Sequence, residues 1–566
     1  MDFKAWFGRW LIAVLVSLPM SPVLSQEGQH KEGILVVNAQ WRDTGALSLS
    51  WQSKNALRSG TVDIHRRLLG ERGGASWWPL AEGIRHRRVY VDETVKAGKA
   101  YEYRVIHTDG DDVQVGYWLA GRQVDAAPER GVVFLVVDST FESALTQELE
   151  RFVDDLVGDG WQVVQRTVPR HNKTELASNM THASELRDWL ALEAEQAGNV
   201  TRALILVGHV PVVMTGQVRP DGHNPQPHES DLYYADLGQR WAQNAKGELL
   251  QNRLPDLRID MHVGRIDFAP VSAGDQTIEL AHLKHYFDKN HRWRHGQLGD
   301  LRNAYGQSGH LSVEITLLNN IVGPEQVSEG GHHDVGVTQP YLWGVDFGHW
   351  KGSEYPGAGI KPVFAINFGS GKQHFAKQGN PMTQLLAQED YTLTVGWGAR
   401  PAWWLQRMAL GGTIGDVHFA TVNNGPWYFG DYQQAVDYYP MGNYIWRAPV
   451  WVNLLGDPTL HAFPLAPPKG LISGIDNGTA VLRWRQADAD DVLGYQVFRL
   501  NTDGGGFEPI SDLLEDNYFE DASWGSGSRY MVRSYGLKQV YAGSFYTWSQ
   551  GVYTTPLSAP SDTSAL

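Results

Sequence analysis

Along the two ends of this chain apolar and polar positions alternate, and in the middle they stop alternating. Ala46–Trp51 (ALSLSW) and Tyr101–His107 (YEYRVIH) keep a period of two, the mark of strands with one face in a core and one in water. After the proline-rich stretch Pro464–Gly470 (PLAPPKG) the pattern returns in Ala480–Arg485 (AVLRWR), Gly494–Leu500 (GYQVFRL) and Ser528–Tyr535 (SRYMVRSY). Short strands at that spacing predict a β-sandwich. Between the two ends, Gly131–Asp138 (GVVFLVVD) is continuously apolar, as a strand buried on both faces must be. Leu145, Leu149, Phe152, Val153 and Leu156 then fall on one helical face. Trp161–Val168 reads as a strand, Leu186, Trp189 and Leu190 mark a second helix, and Arg202–Gly208 (RALILVG) is a third apolar strand. This alternation predicts a mostly parallel sheet covered by helices, with ligands beyond the carboxyl ends of its strands.

At 566 residues the chain exceeds one core. A composition of 42% hydrophobic and 20% charged residues excludes wholesale disorder. The net charge of −15 argues against a nucleic-acid partner, because a phosphate-binding face needs clustered Lys and Arg. Lys4 and Arg9, the apolar run Trp10–Leu18 and the small residues up to Ser25 read as a secretory signal peptide cut near Ser25. The run is too short to span a bilayer, which takes about 20 residues, and no later stretch is long and apolar enough, so a transmembrane protein is not expected. Export to the periplasm, the cell surface or the medium follows from this reading. The chain has no cysteine; it therefore has no disulfide, thiolate zinc site or cysteine nucleophile.

Both flanks resemble fibronectin type III modules: Trp51 with YEYRV in the first, and the Trp of AVLRWR with YQVFR and YMVR in the second. In the middle, four segments occur in the order found in the gingipain family of secreted cysteine peptidases. They are ALILVGHVPVV leading to SDLYYADLG; LPDLRIDMHVGRID; YLWGVDFGHW with VFAINFGSGKQHF; and LGGTIGD with VNLLGDPTL. The resemblance implies a caspase-like α/β domain over 130–463, after a signal peptide (1–25) and a fibronectin-III-like sandwich (30–126), and before a second sandwich (467–556).

The resemblance also implies a catalytic pair. The family His falls on His349, where Trp350 replaces an expected glycine, and counting back from Phe375 puts the nucleophile on Ser370, or with another offset on Gly369. A thiol is drawn to thiolate by a neighbouring His, whereas a serine hydroxyl needs a general base held by a third group. Asp346 or Glu354 could supply that group, although Asp346, three residues before His349 on a strand, points to the opposite face. The leading expectation is therefore an exported peptidase-fold protein that has lost its nucleophile and binds peptide, protein, cell-surface or envelope partners. An active Ser/His hydrolase is the alternative. For Trp397, Trp403, Trp404, Trp427 and Tyr428 core packing is the favoured reading, and a third function, glycan binding, would use them as stacking faces.

For metals, the family loop can carry calcium, and Asp231 and Asp236 would be its oxygen ligands. His310, His332, His333 and Asp334 lack zinc-site spacing and read as polar loop. His209 is expected at a strand end on the functional edge, and Arg265 is expected to brace the sheet or pair with a carboxylate near the site.

Overall fold

The structure, a computed structural model, describes residues 34–558 apart from 53–58, 70–76, 111, 217, 219–225, 239–240, 242–256, 307–310, 331–338, 346–360, 399–400, 425–449 and 502–505. The signal-peptide reading and His349 lie outside the described residues, as do His310, His332, His333, Asp334, Asp346, Glu354, Trp427 and Tyr428.

The first part contains β1 (Val36–Trp41), β2 (Leu47–Gln52), β3 (Thr61–Leu68), β4 (Trp78–Ile84), β5 (Val89–Asp92), β6 (Lys99–Asp109) and β7 (Asp112–Val124). The sheet β1-β2-β5 faces β4-β3-β6-β7. The alternating residues Leu47, Leu49 and Trp51 meet Ile64, Tyr103 and Val105 in a sealed core. Tyr103 donates to Asp92 at 2.8 Å, and Arg66 pairs with the same carboxylate at 2.6 Å.

The middle part runs β8 (Gly131–Asp138), α1 (Thr146–Gly158), β9 (Trp161–Val168), α2 (Leu176–Gln196), β10 (Arg202–Val207), α3 (Leu232–Ala235), β11 (His262–Ile266) and α4 (Gln276–Arg294). It continues with β12 (Ala304–Gly306), α5 (Ser312–Val322), β13 (Val327–Glu329), β14 (Pro340–Val345), β15 (Lys361–Asn367), α6 (Pro381–Leu386), β16 (Thr394–Trp397), α7 (Ile414–Asn424) and β17 (Leu454–Gly456). Its strands form one sheet in the order β13-β12-β14-β15-β16-β17-β11-β10-β8-β9. Every described neighbour pair is parallel except β16 with β17. The sheet is thus two parallel halves of opposite direction, joined at that pair. The carboxyl ends of β8, β10 and β11 point to one edge, and that of β15 points to the other.

The last part has β18 (Lys469–Asp476), β19 (Thr479–Arg485), β20 (Val492–Leu500), β21 (Phe507–Pro509), β22 (Tyr518–Asp521), β23 (Tyr530–Val540), β24 (Gly543–Trp548) and β25 (Val552–Tyr553). Sheet β18-β19-β22 faces β21-β20-β23, and β24 and β25 both pair with β23. The polar clasp of the first sandwich recurs here: Tyr530 donates to Asp521 at 2.9 Å, and Arg499 pairs with it at 2.5 Å. In both clasps a hydroxyl two residues on, Thr94 or Ser523, also donates to the carboxylate. The molecule is mostly β, with several sheets and few helices.

The two sandwiches are not separate beads. Strand β7 would be an exposed edge, a liability if left unpaired. Leu35 donates to Val115, the Asn320 side chain on α5 bonds both backbone groups of Leu119 at 2.8 Å, and β24 pairs in parallel from Gly121 to Val124. One continuous sheet therefore crosses from the first sandwich to the last. The approach is so close that a Cβ on Gly543 (φ +135°) would sit 1.8 Å from the Gly121 carbonyl oxygen. Gly527 also has positive φ (+90°) but faces open space. Gly543→Ala is expected to cost at least about 2 kcal/mol more than Gly527→Ala; urea denaturation of the two variants measures the difference.

Candidate functional site

The carboxyl edge of β8, β10 and β11 collects ionisable side chains for a topological reason. Asp138 closes β8, His209 follows β10, and Asp267 follows β11, so three adjacent parallel strands deliver them side by side. Gly208 between β10 and His209 has φ +77°, and a Cβ there would come 2.7 Å from that of Asp138; only glycine lets the two strand ends approach so closely.

Asp138 is fully buried and accepts from Arg170 at 2.6 Å and from the His209 backbone N–H at 3.1 Å. Arg170 also forks onto Glu279 at 2.6 and 3.1 Å. Burial pushes the Glu279 carboxyl up, against the hydrogen bond from Arg170. His209 Nδ1 lies 2.7 Å from Asp267 Oδ2. For Asp267, burial pulls upward, but His209, Arg265 and the Ala269 N–H outweigh it and leave the carboxyl below its usual range. The imidazole of His171 meets His209 edge to face at 5.1 Å. Burial, with His209 and Arg265 nearby, holds it neutral down to about 4.

Arg265 is completely buried. Its guanidinium forks onto both oxygens of Asp231 at 2.9 and 2.7 Å and donates to the Val210 carbonyl at 2.9 Å. Asp267 stands 3.7 Å away, and the Phe375 ring covers one face at 5.3 Å. Arg265 thus both braces the sheet and pairs with a carboxylate, and the carboxylate is the residue expected to hold calcium. Both Asp231 oxygens being taken by an internal cation, a calcium ion there would have to displace it. Asp236 ends α3, where its carbonyl accepts from Arg187. Neither aspartate belongs to a group of three metal-ligating side chains among the described residues.

Ser370 lies in the exposed turn after β15, between Gly369 (φ +139°) and Gly371 (φ +82°). Lys372 N donates to the Gly369 carbonyl at 3.3 Å, and Trp397 Nε1 donates to the same oxygen at 3.0 Å. Among the described residues no base hydrogen-bonds the Ser370 hydroxyl. The turn instead packs on the loop before Asp231: the His374 and His228 rings stack at 4.1 Å, and His374 Nδ1 lies 3.2 Å from Glu229. Asn453 carries the order onward, accepting from Asp231 N and donating to the Glu229 carbonyl.

Three of the five aromatic rings weighed between core packing and sugar stacking lie in the core. Trp397, Trp403 and Trp404 are 1%, 0% and 2% exposed, so none can lie against a glycan. After Trp404 the chain makes a short 3-10 turn, Leu405–Met408. Asp138, Arg170, Asp267 and Glu279 escape sequence reasoning because they are ordinary charged residues scattered over 142 positions; only Asp138, terminal to an apolar strand, carried a signal.

No protein-family model matches the chain, and no curated protein does. Among solved structures it is similar to a fibronectin type III-like protein from Clostridium thermocellum, at 26% identity over 17% of this chain and 85% of that one, TM-score 0.11. It is similar to the fn3 domain of human collagen alpha-1(XX) chain, at 21% identity over 19% and 95%, TM-score 0.14. It is also similar to pectate lyase PelI from Erwinia chrysanthemi, at 14% identity over 19% of this chain and 33% of that one, TM-score 0.14. Each of these matches covers less than a fifth of the chain.

Two tests follow from the edge. Arg265→Met leaves Asp231 buried without its cation and is expected to cost about 3–5 kcal/mol; adding Asp231→Leu should recover part of that loss in urea titrations. On pH, His171 and the fully buried His418, which burial also holds neutral down to about 4, have folded values below the ordinary 6.5. Their contribution is complete above pH 6.5 and is lost as pH falls toward 4, because the unfolded chain then binds protons that the folded one refuses. Asp267 adds a further loss below its unfolded value of 3.8. Denaturation midpoints from pH 8 to 4 should fall over that window, and His171→Asn should flatten the slope.

Proposed function

We propose that this is an exported, non-proteolytic protein built on a caspase-like, gingipain-type α/β domain, which acts by binding peptide or surface partners. The motif order supports the family reading, and the two-directional parallel sheet is compatible with it. The observation that carries the loss of chemistry is the absence of cysteine from the chain, with serine at the position that matches the family nucleophile. Ser370 sits in an exposed turn, and at the other edge of the sheet Arg265, Asp231, Asp267, Asp138, Arg170 and Glu279 are committed to one another, with His209 Nδ1 on Asp267. A serine hydroxyl needs a general base within about 2.6–3.2 Å, held by a third group, to attack at neutral pH, and a site shaped for a Cys/His pair carries no such third group by design. What remains is a domain tied to two sandwich modules, and its loops and module faces are the surfaces on which such binding would act.

The test is a serine-reactive fluorophosphonate on the folded protein, beside Ser370→Ala and His349→Ala. No labelling above the variants is expected. Labelling that maps to Ser370 and disappears in both variants would overturn the reading in favour of a working Ser/His hydrolase.

A further inference from the structure

Away from the strand-end edge, helices α1 and α4 lie against each other, with Phe152 and Phe287 in contact at 5.0 Å. At the carboxyl ends of both helices three side chains converge. Asp155 of α1 is 4% exposed. His291, in the last turn of α4, and His295, its C-cap, are four residues apart and so share one face of the helix. His291 Nδ1 stands 2.9 and 3.0 Å from the two Asp155 oxygens, and His295 Nε2 stands 3.1 Å from one of them. The two rings lie 4.2 Å apart. One ligand atom from each residue falls within 4.8 Å of the others.

We propose that Asp155, His291 and His295 form a binding site for a divalent transition metal of the zinc type. Three ligands at about 2.0–2.2 Å from a tetrahedral zinc ion lie about 3.3 Å from one another. The two Asp155–His spacings therefore need to open by only a few tenths of an ångström, and the two His nitrogens already lie within 4.8 Å of each other. Two imidazole nitrogens and one carboxylate oxygen suit zinc, cobalt or nickel, and are too few oxygens for calcium, which takes six to eight. The metal takes the lone pairs of His291 Nδ1 and His295 Nε2. The ring protons move to the opposite nitrogens, or to solvent where the rings are charged, so binding strengthens with rising pH. His291 keeps 28% of its side chain exposed, which leaves an entry path and room for a water as fourth ligand.

The surroundings fix the carboxylate ligand from outside. The Asp155 carbonyl accepts from Gln550 of the last sandwich at 2.7 Å, and neighbouring Asp154 receives Tyr553 on its carbonyl and Arg529 on its carboxylate. The ion would bridge α1 to α4 directly beneath the docked sandwich. In a chain without cysteine it would serve as the cross-link that a disulfide supplies elsewhere, a structural and not a catalytic role.

The test uses the secreted full-length protein stripped with EDTA, dialysed, and titrated with Co²⁺ and with Zn²⁺. Expected are about one equivalent of tight binding, the intense visible absorption of low-coordinate Co²⁺, and a rise in Tm with Zn²⁺. The half-exposed ligand is removed by His291→Ala and the pair by His291→Gln/His295→Gln, with circular dichroism confirming the fold. Both should weaken binding about tenfold or more and abolish the Tm rise, while His285→Ala on the same helix should bind like the parent. Absence of the cobalt spectrum and of a zinc equivalent, or binding undiminished in the folded His variants, would overturn the assignment.

Discussion

The buried guanidinium of Arg265 is the constraint around which the middle domain is arranged. A cation with no exposed surface must have its charge and its N–H groups answered inside the protein, or the fold loses several kcal/mol. Asp231 answers with both oxygens, the Val210 carbonyl with one, and Phe375 closes a face. Each partner belongs to a different stretch: the loop before α3, the segment leaving β10, and the turn after β15. One strand residue thus fixes three loops, and through Asp267 it reaches His209 and the end of β10. The loops that could have carried chemistry are held as a frame.

A second constraint ties that frame to the sandwiches. The buried Glu102 of β6 receives Arg67 from its own sandwich and Gln406 and Arg407 from the middle domain, so removing the carboxylate would strand three donors. At the other end, Arg533 of β23 donates to Pro128 on the linker before β8, and Gly551 donates to the Gly158 carbonyl at the end of α1. With β7 and β24 paired, each module contacts the other two. A chain without disulfides gains cooperativity this way, because no module can open without exposing an edge or a charge belonging to another.

Much of the secondary structure is legible along the chain, because strand and helix periods are local properties. Gly131–Asp138 and Trp161–Val168 are strands with the ends that the apolar runs suggest, and the Leu145–Leu156 stripe is the buried face of α1. The Tyr–Asp–Arg clasps are legible in hindsight: VDET and EDAS, with Tyr103 and Tyr530 on the later strands, repeat at corresponding places. What cannot be read is the reversal of direction between β16 and β17, since nothing in a short apolar run states which way its neighbour runs. Asp231 shows the limit for sites. As a sequence it is an oxygen ligand in a polar loop; in the fold it is the counter-ion of a strand residue 34 positions away.

The same network bears on what the carboxyl edge can do. Catalysis needs a group whose hydrogen-bonding capacity is incomplete until substrate arrives, since stabilisation must appear in the transition state and not before. Along β8, β10 and β11 the carboxylates and guanidinia are already satisfied by one another. His209 has the form of an oriented base, with Nδ1 on Asp267 and Nε2 without a protein partner among the described residues. Yet it is 4% exposed and meets the His171 ring edge to face, so little of it is open to a substrate. His171 is itself tied down: its backbone N–H donates to the His209 carbonyl, and its Nδ1 accepts from Val212 N. An edge closed from within in this way stiffens the domain.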